Sequence, residues 1–341
     1  MVCDYRWKSA SQGNYDSSGR LLSFALTRSG ASWRTGTETL AMPKPGAVDS
    51  RGKPIDFALV DVTVAPDGSL FMSDHNQGIW RLFYGSPSDR KATGVPPVLP
   101  AIVNIQGTRA EMIDAVLDLP QPQSEWTRLQ IEAVKGKVGV SWPAALQHYV
   151  LDETHALRKR LRALRLISPA YRRLSGSFYV RLAESKSEVL RGQAAWLTGL
   201  QGGHYHPQIL HPLLSDASPF VRRRAAEALT RVATKKSVIP LVQALEDPER
   251  RVRYTAMQAL AHLPTADWFE VAIDSENAQR VMRALVAAKH RRELLESRLI
   301  LNTISRLVSQ APETLEDQLD LLRVVGLFQE SITNDPNTKA L

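Results

Sequence analysis

Three histidines between residues 204 and 211 have side chains with which proteins often bind zinc. His204 and His206 flank Tyr205 in a loop that follows two glycines, and His211 lies further along the chain. A zinc site usually adds cysteines or carboxylates at a fixed spacing, and none accompanies these histidines in the sequence. The pattern therefore favours a loop without a metal ion.

Two aspartates at predicted turns, Asp67 and Asp74, could bind calcium through their carboxylate oxygens. Hard cations such as Ca²⁺ prefer ligands of this kind. Asp67, however, stands between a proline and a glycine, and an aspartate in this position is also a common requirement of a tight turn. We therefore interpret both as turn residues, and we predict neither a metal site nor a catalytic residue.

Arginines form a cluster of positive charge in a chain whose net charge is +8. A basic surface attracts partners that carry phosphates or acidic side chains. The alternative is a solvated helix face on which the arginine stems cover apolar surface. If the cluster binds a partner, we expect these residues to take part: Arg158, Arg162, Arg165, Arg222, Arg223 and Arg253.

Nucleic acid is one class of partner that would suit this charge. Some helical solenoids hold a duplex in a basic groove and excise damaged bases, which requires an acidic residue and aromatic side chains in that groove. Trp196, Trp268 and Asp267 are the candidates here. Binding to DNA that weakens steeply as salt rises would distinguish this function from protein binding.

Residues 59 to 84 contain three short runs in which apolar residues alternate, and this spacing predicts β-strands. The runs are Val60 to Val64, Leu70 to Ser73 and Ile79 to Tyr84. Pro66-Asp67-Gly68 joins the first two, because proline presets φ and glycine accepts the positive φ of a tight turn. Three strands of this length are typical of one blade of a β-propeller.

The preceding residues also have a β-pattern, in Gly19 to Leu26, Gly30 to Trp33 and Thr37 to Leu40. A closed propeller needs about four to eight blades, so we expect one to two blades and no closed ring. Within the better-defined blade, we expect Trp80 to pack in the core and Arg81 to face the other side.

Composition and apolar spacing divide the chain into four parts. Residues 1–86 form the propeller-derived segment and residues 87–122 form a linker, and the stretch from 85 to 100 around its start is rich in proline, serine and glycine. Over residues 123–330 the apolar spacing changes to three or four, which predicts helices. Residues 331–341 show no periodicity and are expected to be disordered. The predicted fold class is therefore α+β multidomain, a partial β-propeller followed by an α-solenoid.

Two helices in the solenoid are predicted from apolar stripes at helical spacing. The first stripe lies between residues 151 and 167, and the second between residues 314 and 328. The stripes consist of Leu157, Leu161, Leu164 and Ile167 in the first helix, and of Leu315, Leu319, Leu322 and Val325 in the second.

An internal repeat at constant spacing is the most specific signal in the helical part. Six residues recur in register, and a third, more degenerate copy begins at Ser185. Small alanines allow neighbouring helices to approach closely, and stacked helix pairs bury a continuous core that one pair alone could not form. The matching residues are Asp216, Val221, Arg222, Ala225, Ala228 and Leu229 in one copy, and Asp247, Val252, Arg253, Ala256, Ala259 and Leu260 in the next.

The segments LLSDASPFVRRRAAEALTRVA and LVQALEDPERRVRYTAMQALAHLP resemble HEAT-type repeats. In both, an aspartate begins the second helix of a pair, where it would cap free amide groups and complement the helix dipole. The order of blade, linker and HEAT repeats is similar to that of sorbosone or glucose dehydrogenase-like propeller proteins of the membrane-bound dehydrogenase type. The β-motif that carries this similarity is PDGSLFMSD followed by GIWR.

The resemblance implies a parent protein that oxidises sugars or alcohols with a quinone cofactor, PQQ, and passes the electrons to a c-type haem domain. Most blades and the C-x-x-C-H haem motif are absent from this sequence, so we expect no cofactor in the chain. Our hypothesis is a non-catalytic region that binds a protein partner, including the missing blades. The alternatives are a fragment active only with those blades, and a nucleic-acid-binding solenoid.

Other features of the composition exclude several classes of protein. The single cysteine, Cys3, excludes an intrachain disulfide and a cysteine-rich zinc site. No run of about eighteen apolar residues predicts a membrane span, and the first residues lack the apolar stretch of a signal peptide. The resemblance implies a parent in the periplasm or cell envelope, whereas the chain itself carries no recognisable targeting segment.

Overall fold

A computed structural model describes residues 2–4, 19–44, 46–49, 51–55, 57–65, 69–75, 78–82, 104–119, 125–167, 174–201, 206–291, 297–310 and 314–333. The chain divides into two compact units. Unit 1 comprises residues 1–28 and 33–167, and unit 2 comprises residues 29–32 and 168–341.

In the described N-terminal residues, six strands form two three-stranded antiparallel sheets. The strands of the first sheet follow the chain order β1-β2-β3, and those of the second follow the order β4-β5-β6. The strands are β1 Val2–Asp4, β2 Arg20–Ser29, β3 Ser32–Ala41, β4 Leu59–Val64, β5 Leu70–Asp74 and β6 Gly78–Leu82.

The second sheet confirms the three strands predicted between residues 59 and 84. In the first sheet, the two short runs predicted around Trp33 and Leu40 form one continuous strand, β3, and Gly30 with φ of 57° lies in the turn before it. A register shift between Leu59 and Asp61 also changes which side of β4 is buried. Because the shift places Leu59 on the core side, Val60 is left exposed.

Apolar residues of both sheets pack into one cluster. Leu21 of β2, Leu59 of β4 and Met72 of β5 are buried together, and Trp80 of β6 packs against them. Arg81 is exposed on the other face of β6, as predicted. The structure confirms small sheets in the N-terminal part of the chain, while the assignment to a propeller stays a prediction.

The described part of unit 1 also contains four helices, the first of which falls in the predicted linker. The helices are α1 Arg109–Asp118, α2 Glu125–Val138, α3 Trp142–Leu151 and α4 Leu157–Ile167. A capping box begins α1, because Thr108 Oγ1 accepts from the amide of Glu111 and the Glu111 carboxylate accepts from the amide of Thr108. This T-x-x-E pattern is a sequence signature of a helix start, and it lies within the stretch that composition alone predicts to be a linker.

Ten helices make up the described part of unit 2, and most belong to consecutive pairs. The helices are α5 Gly176–Ala183, α6 Glu188–Gln201, α7 His206–Leu213, α8 Pro219–Val232, α9 Val238–Gln243, α10 Arg250–Ala261, α11 Phe269–Ile273, α12 Ala278–Arg291, α13 Ser297–Ser309 and α14 Leu315–Thr333. The even-numbered helices from α6 to α14 pack one against the next and form a layer, which we call the even layer.

The sequence repeat corresponds to successive helices of the even layer. The helices α6, α8 and α10 begin at Glu188, Pro219 and Arg250, so their starts are evenly spaced along the chain. Equivalent residues Leu190, Val221 and Val252 are completely buried. The repeat therefore fixes both the helix boundaries and the side that each helix buries.

The predicted stripe of α14 is largely exposed, which contradicts the expectation from periodicity. Leu315, Leu319 and Leu322 are all exposed to solvent, and the exposed fraction of Leu315 is 71%. Apolar residues occur on more than one side of this helix, so spacing alone could not identify the buried side. The side that packs against α12 and α13 includes Leu321, Val324 and Phe328.

Helices α6 and α8 approach so closely at Gly199 that a larger residue is excluded. A Cβ atom on Gly199 would lie 2.7 Å from Cβ and 2.8 Å from Cα of Ala228. We expect Gly199→Val to lower the free energy of unfolding of unit 2 by about 2 kcal/mol, because backbone atoms would have to separate. Urea denaturation, monitored by hydrogen exchange of peptides from α6 and α8, would measure the loss of stability.

The matched control for this substitution is Gly326→Ala in α14. An added Cβ at Gly326 has no neighbour within 4 Å. Alanine should there stabilise the helix by about 0.5 kcal/mol, because glycine loses more backbone entropy on folding. Equal stability of the Gly199→Val variant and the natural chain would contradict close packing between α6 and α8.

Candidate partner-binding surface

A ladder of arginines and aspartates joins successive helices of the even layer. Arg191 of α6 donates from Nε to Asp216 Oδ2 at 2.6 Å and from Nη2 to Asp216 Oδ1 at 2.9 Å. Arg222 of α8 repeats both bonds to Asp247, at 2.6 and 3.0 Å. Bidentate pairs of this kind combine charge with fixed geometry. Each arginine thus clamps the aspartate that precedes the next helix of the layer.

The remaining terminal nitrogen of each ladder arginine binds the chain just before its own helix. Nη1 donates to the carbonyl oxygen six residues earlier, which fixes the loop that enters the helix. The three bonds run from Arg191 to Ser185 at 2.9 Å, from Arg222 to Asp216 at 2.9 Å and from Arg253 to Asp247 at 2.8 Å.

The ladder aspartates bind more than the helix amides that the sequence predicted for them. Asp216 and Asp247 stand shortly before their helices, and each accepts one amide bond, from Ser218 and Glu249, at 2.8 Å. Their other interactions are with the arginine of the preceding repeat. The aspartates are therefore ties between repeats as well as local caps.

The first pair of the ladder, Arg191 and Asp216, shows pKa shifts in the direction expected for a stable ion pair. Burial alone would raise the pKa of Asp216, but bonds from Arg191 and Ser218, with the charges of Arg191 and Arg222, hold that pKa below its usual value. The bond to Asp216 raises the pKa of Arg191 despite burial. Both groups are consequently charged at neutral pH.

The three arginines predicted from the repeats have different surroundings. The side chain of Arg222 is 14% exposed, and its donors are used in the ladder. Arg223 is half-buried, and burial lowers the pKa of its guanidinium. Arg253 occupies the last described ladder position, and no carboxylate in the described residues lies within ion-pair distance of it. Their predicted part in partner binding stays a prediction.

The three arginines predicted from α4 do not form one continuous charged face. Arg162 is buried and donates to the carbonyl oxygens of Leu117 and Leu119 at the end of α1. Burial lowers the pKa of its guanidinium. Arg158 is exposed and pairs with Asp118, and Arg165 is exposed. The neighbouring charges are thus partly structural, because a cation at a helix C-terminus satisfies free carbonyl groups.

The predicted histidine group lies only partly in the described chain. His204, Tyr205 and the side chain of His206 lie outside the described residues. His211 Nε2 lies 3.1 Å from the hydroxyl of buried Ser237. Among the side chains that the structure describes, no three of histidine, cysteine, aspartate or glutamate come together to hold a metal ion.

Asp74 has hydrogen-bond partners both before β4 and in β6. Asp67 lies outside the described residues. The buried carboxylate of Asp74 accepts from the amide of Ala58 at 3.0 Å and from the indole of Trp80 at 3.2 Å. The Trp80 ring in turn lies 5.3 Å from that of Phe57. Asp74 therefore ties β6 to the segment before β4.

The expectation that the sheets hold no quinone stays a prediction. In the described part of both sheets, no buried side-chain nitrogen or oxygen is left without a hydrogen-bond partner. The buried carboxylate, Asp74, is bound within the fold.

The aromatic candidate for base recognition is part of the core of unit 2. Trp268 is completely buried, its ring lies edge-on to Phe269 with centroids 5.9 Å apart, and its indole donates to Leu263 O at 3.4 Å. Asp267 pairs with Lys235 at 3.2 Å. Trp196 is half-buried. A base could not stack on Trp268 without opening the core.

Comparison with known families agrees with the stacked helices and their ladder. Residues 178–261, and again residues 206–296, match the family model of HEAT repeats. These residues form HEAT repeats. Both matched stretches lie within unit 2, and together they contain all of the ladder residues. A search of curated proteins found no match to the chain.

The HEAT match supports the repeats alone, and the resemblance of the β-segment to propeller dehydrogenases stays a prediction. The ladder was visible in the sequence as a pair of residue types, since arginine and aspartate recur with the same period. Their partnership was missed because period alone does not show which arginine faces which aspartate. No described helix combines the length and apolar composition needed to cross a bilayer.

Proposed function

We propose that the chain is an interaction scaffold that binds a partner protein through the even layer of its HEAT repeats. The observation that carries this proposal is the ladder, which holds three successive repeats in one register. Side chains that the ladder does not use remain available for a partner, such as Arg250, and Tyr254, which is 61% exposed. A rigid layer lowers the entropy lost on binding.

The experiment that tests this proposal is a selection of binding peptides on the intact chain. A displayed peptide library should yield sequences that bind the chain, and hydrogen exchange should then show protection in α8, α10 and α12. As a control, the same selection on a variant that carries both Arg250→Glu and Tyr254→Ala should recover few of these sequences. Failure to enrich any sequence, or protection confined to unit 1, would contradict the scaffold.

A parent of the propeller dehydrogenase type is a second, separate part of the proposal. Its support is the meander β4-β5-β6 together with the PDGSLFMSD and GIWR motifs. In this interpretation the sheets dock on propeller blades carried by another chain, and that chain holds the quinone. Co-expression with a neighbouring gene that encodes such blades should give a stable complex that oxidises sugars or alcohols. Sugar oxidation by the purified chain alone would contradict a non-catalytic role.

A further inference from the structure

A cleft of about 630 Å³ between α10, α12 and α14 carries an excess of positive charge. Arg250, Arg253, Arg283 and Arg323 line it, and Asp320 is the one acidic residue among the described residues of its wall. Asp320 pairs with Arg323 at 2.6 Å. In the part of the chain that the structure describes, no carboxylate lies within ion-pair distance of the other three arginines. The cleft is therefore suited to an anionic group.

The environment of Arg283 is consistent with a cleft that favours an added negative charge. Burial first, and the neighbouring charge of Arg253 second, lower the pKa of Arg283 to about 10. Asp320, Asp317 and Glu246 oppose this change, but they do not cancel it. Two guanidinium groups that repel each other in a partly desolvated site gain most from an anion placed between them.

Arg253 also marks the point at which the ladder ends. Ser185, Asp216 and Asp247 stand three residues before α6, α8 and α10, and Ser275 stands at the same place before α12. The Ser275 hydroxyl accepts from the amide of Asn277 at 3.1 Å, as the aspartates do from their own loops. Serine provides the cap but no carboxylate for the arginine of the preceding repeat. Arg253 thus lacks the partner that Arg191 and Arg222 have.

Apolar side chains cover much of the remaining wall of the cleft. Met257 and Met282 contribute from α10 and α12, and Leu315 and Leu319 contribute from the exposed stripe of α14. Exposed leucines next to a pocket often mark a surface that a partner covers. Methionine adapts its shape to different apolar ligands.

We infer that this cleft binds an acidic, amphipathic segment of a partner protein. The inference rests on the proposed scaffold and specifies where that scaffold binds its partner and which chemistry the partner carries. A carboxylate of the segment supplies Arg253 with the group that Ser275 does not provide, and further carboxylates pair with Arg250 and Arg283. Apolar residues of the same segment pack on the methionines and on Leu319. An amphipathic helix laid in a groove has this distribution of side chains.

The apolar wall favours such a peptide over a nucleic acid. A nucleic-acid backbone would satisfy the arginines through its phosphates, but it would leave Leu315 and Leu319 against a polar surface. Among the described residues that line the cleft, Tyr254 is the one aromatic side chain on which a base could stack. A peptide that carries both acidic and apolar side chains complements both kinds of wall.

The test uses the full chain and two labelled synthetic peptides of about 15 residues, long enough for four helical turns. One peptide carries glutamates and leucines at helical spacing, and the other has lysine at each glutamate position. Fluorescence polarisation should show saturable binding of the acidic peptide, weaker at high salt, and no binding of the basic one. Arg250→Glu should weaken the acidic peptide at least about tenfold, because a favourable charge becomes a repulsive one.

Three variants control for fold and position. Arg251→Glu, the next residue along α10 and outside the cleft, should change affinity less than about twofold. Ser275→Asp should weaken the peptide because it gives Arg253 a resident carboxylate, whereas the neutral Ser275→Asn should not. Leu319→Ser should weaken the peptide without loss of stability, because Leu319 is already exposed.

Several outcomes would overturn the inference. They are equal binding of both peptides, no binding of the acidic peptide up to millimolar concentration, and equal losses from Arg250→Glu and Arg251→Glu. Displacement of the peptide by a short DNA duplex at lower concentration would assign the cleft to nucleic acid. A dimer of the chain that persists in the presence of the peptide would assign the cleft to a second copy of the chain. If the library selection succeeds while these tests fail, the scaffold stands and the cleft does not.

Discussion

Replacing Asp216 by alanine is expected to lower the free energy of unfolding of unit 2 by about 3 kcal/mol, the loss typical of a broken buried ion pair. The substitution leaves the half-buried guanidinium of Arg191 without its carboxylate and also removes the bond to the Ser218 amide. Urea denaturation of the full chain, followed by hydrogen exchange of α6 and α8 peptides, would measure this loss.

Three further variants separate the ion pair from the local cap. Asp216→Asn can still accept from the Ser218 amide, so it should lose about 1 kcal/mol less than the alanine variant. Arg191→Ala and the double variant complete a cycle in which the two single losses should not add. Lys235→Ala removes an exposed ion pair of unit 2, and it should cause no measurable change. Additive losses in the cycle would contradict the ladder.

The contribution of this pair should also depend on pH with a defined sign. The pKa of Asp216 is lower in the folded chain than its ordinary value of 3.8. Its contribution is therefore complete above that ordinary value and is lost as pH falls through the folded pKa. Because Arg191 stays protonated throughout this range, the difference between the natural chain and Asp216→Ala should shrink only in acid. An unchanged difference at pH 2 would contradict the assignment.

Trp268→Ala should be as damaging as any single substitution in unit 2, with a loss of about 4 kcal/mol. Trp268 is completely buried and packs edge-on against Phe269, so alanine would leave a large cavity between helices. Trp268→Phe, which keeps most of the ring volume, should lose about 1 kcal/mol. Thermal unfolding of the full chain, monitored by hydrogen exchange of α11 peptides, would give both values.

The same substitutions test the nucleic-acid alternative. If Trp268 belongs to the core, Trp268→Phe should leave any residual DNA retention unchanged, and Trp196→Ala should cost less stability because that side chain is half-buried. A Trp268→Ala variant with natural stability but no DNA binding would restore the tryptophan as a base-recognition residue.

The helical repeats were the part of the fold that the sequence predicted best. Val221 and Val252 recur at the same spacing and are buried in the same way, because each repeat meets its neighbours through one repeated interface. Apolar spacing within a single helix did not identify the buried side of α14. Apolar residues lie on more than one side of this helix, and the predicted residues Leu315 and Leu319 are exposed. Apolar spacing therefore locates helices more reliably than it locates their buried face.

The candidate site was harder to predict, because charge alone does not distinguish an ion pair from a binding surface. Arg222 and Arg250 have similar sequence surroundings, yet the first is held in the ladder and the second lines an open cleft. Arg162 lies in the densest basic stretch but is buried against the end of α1. Only the position of each helix relative to its neighbours separates these roles.

The forward reach of each ladder arginine has a consequence for how such a chain could evolve. A duplicated unit would bring its own arginine and its own aspartate, so both new joints would match the existing ones. Gene duplication could lengthen the array without inventing another interface. Where a copy carries serine in place of the aspartate, as at Ser275, the array can no longer be lengthened in this way. The arginine of the preceding repeat then has no carboxylate partner in the ladder and could evolve to recognise another molecule.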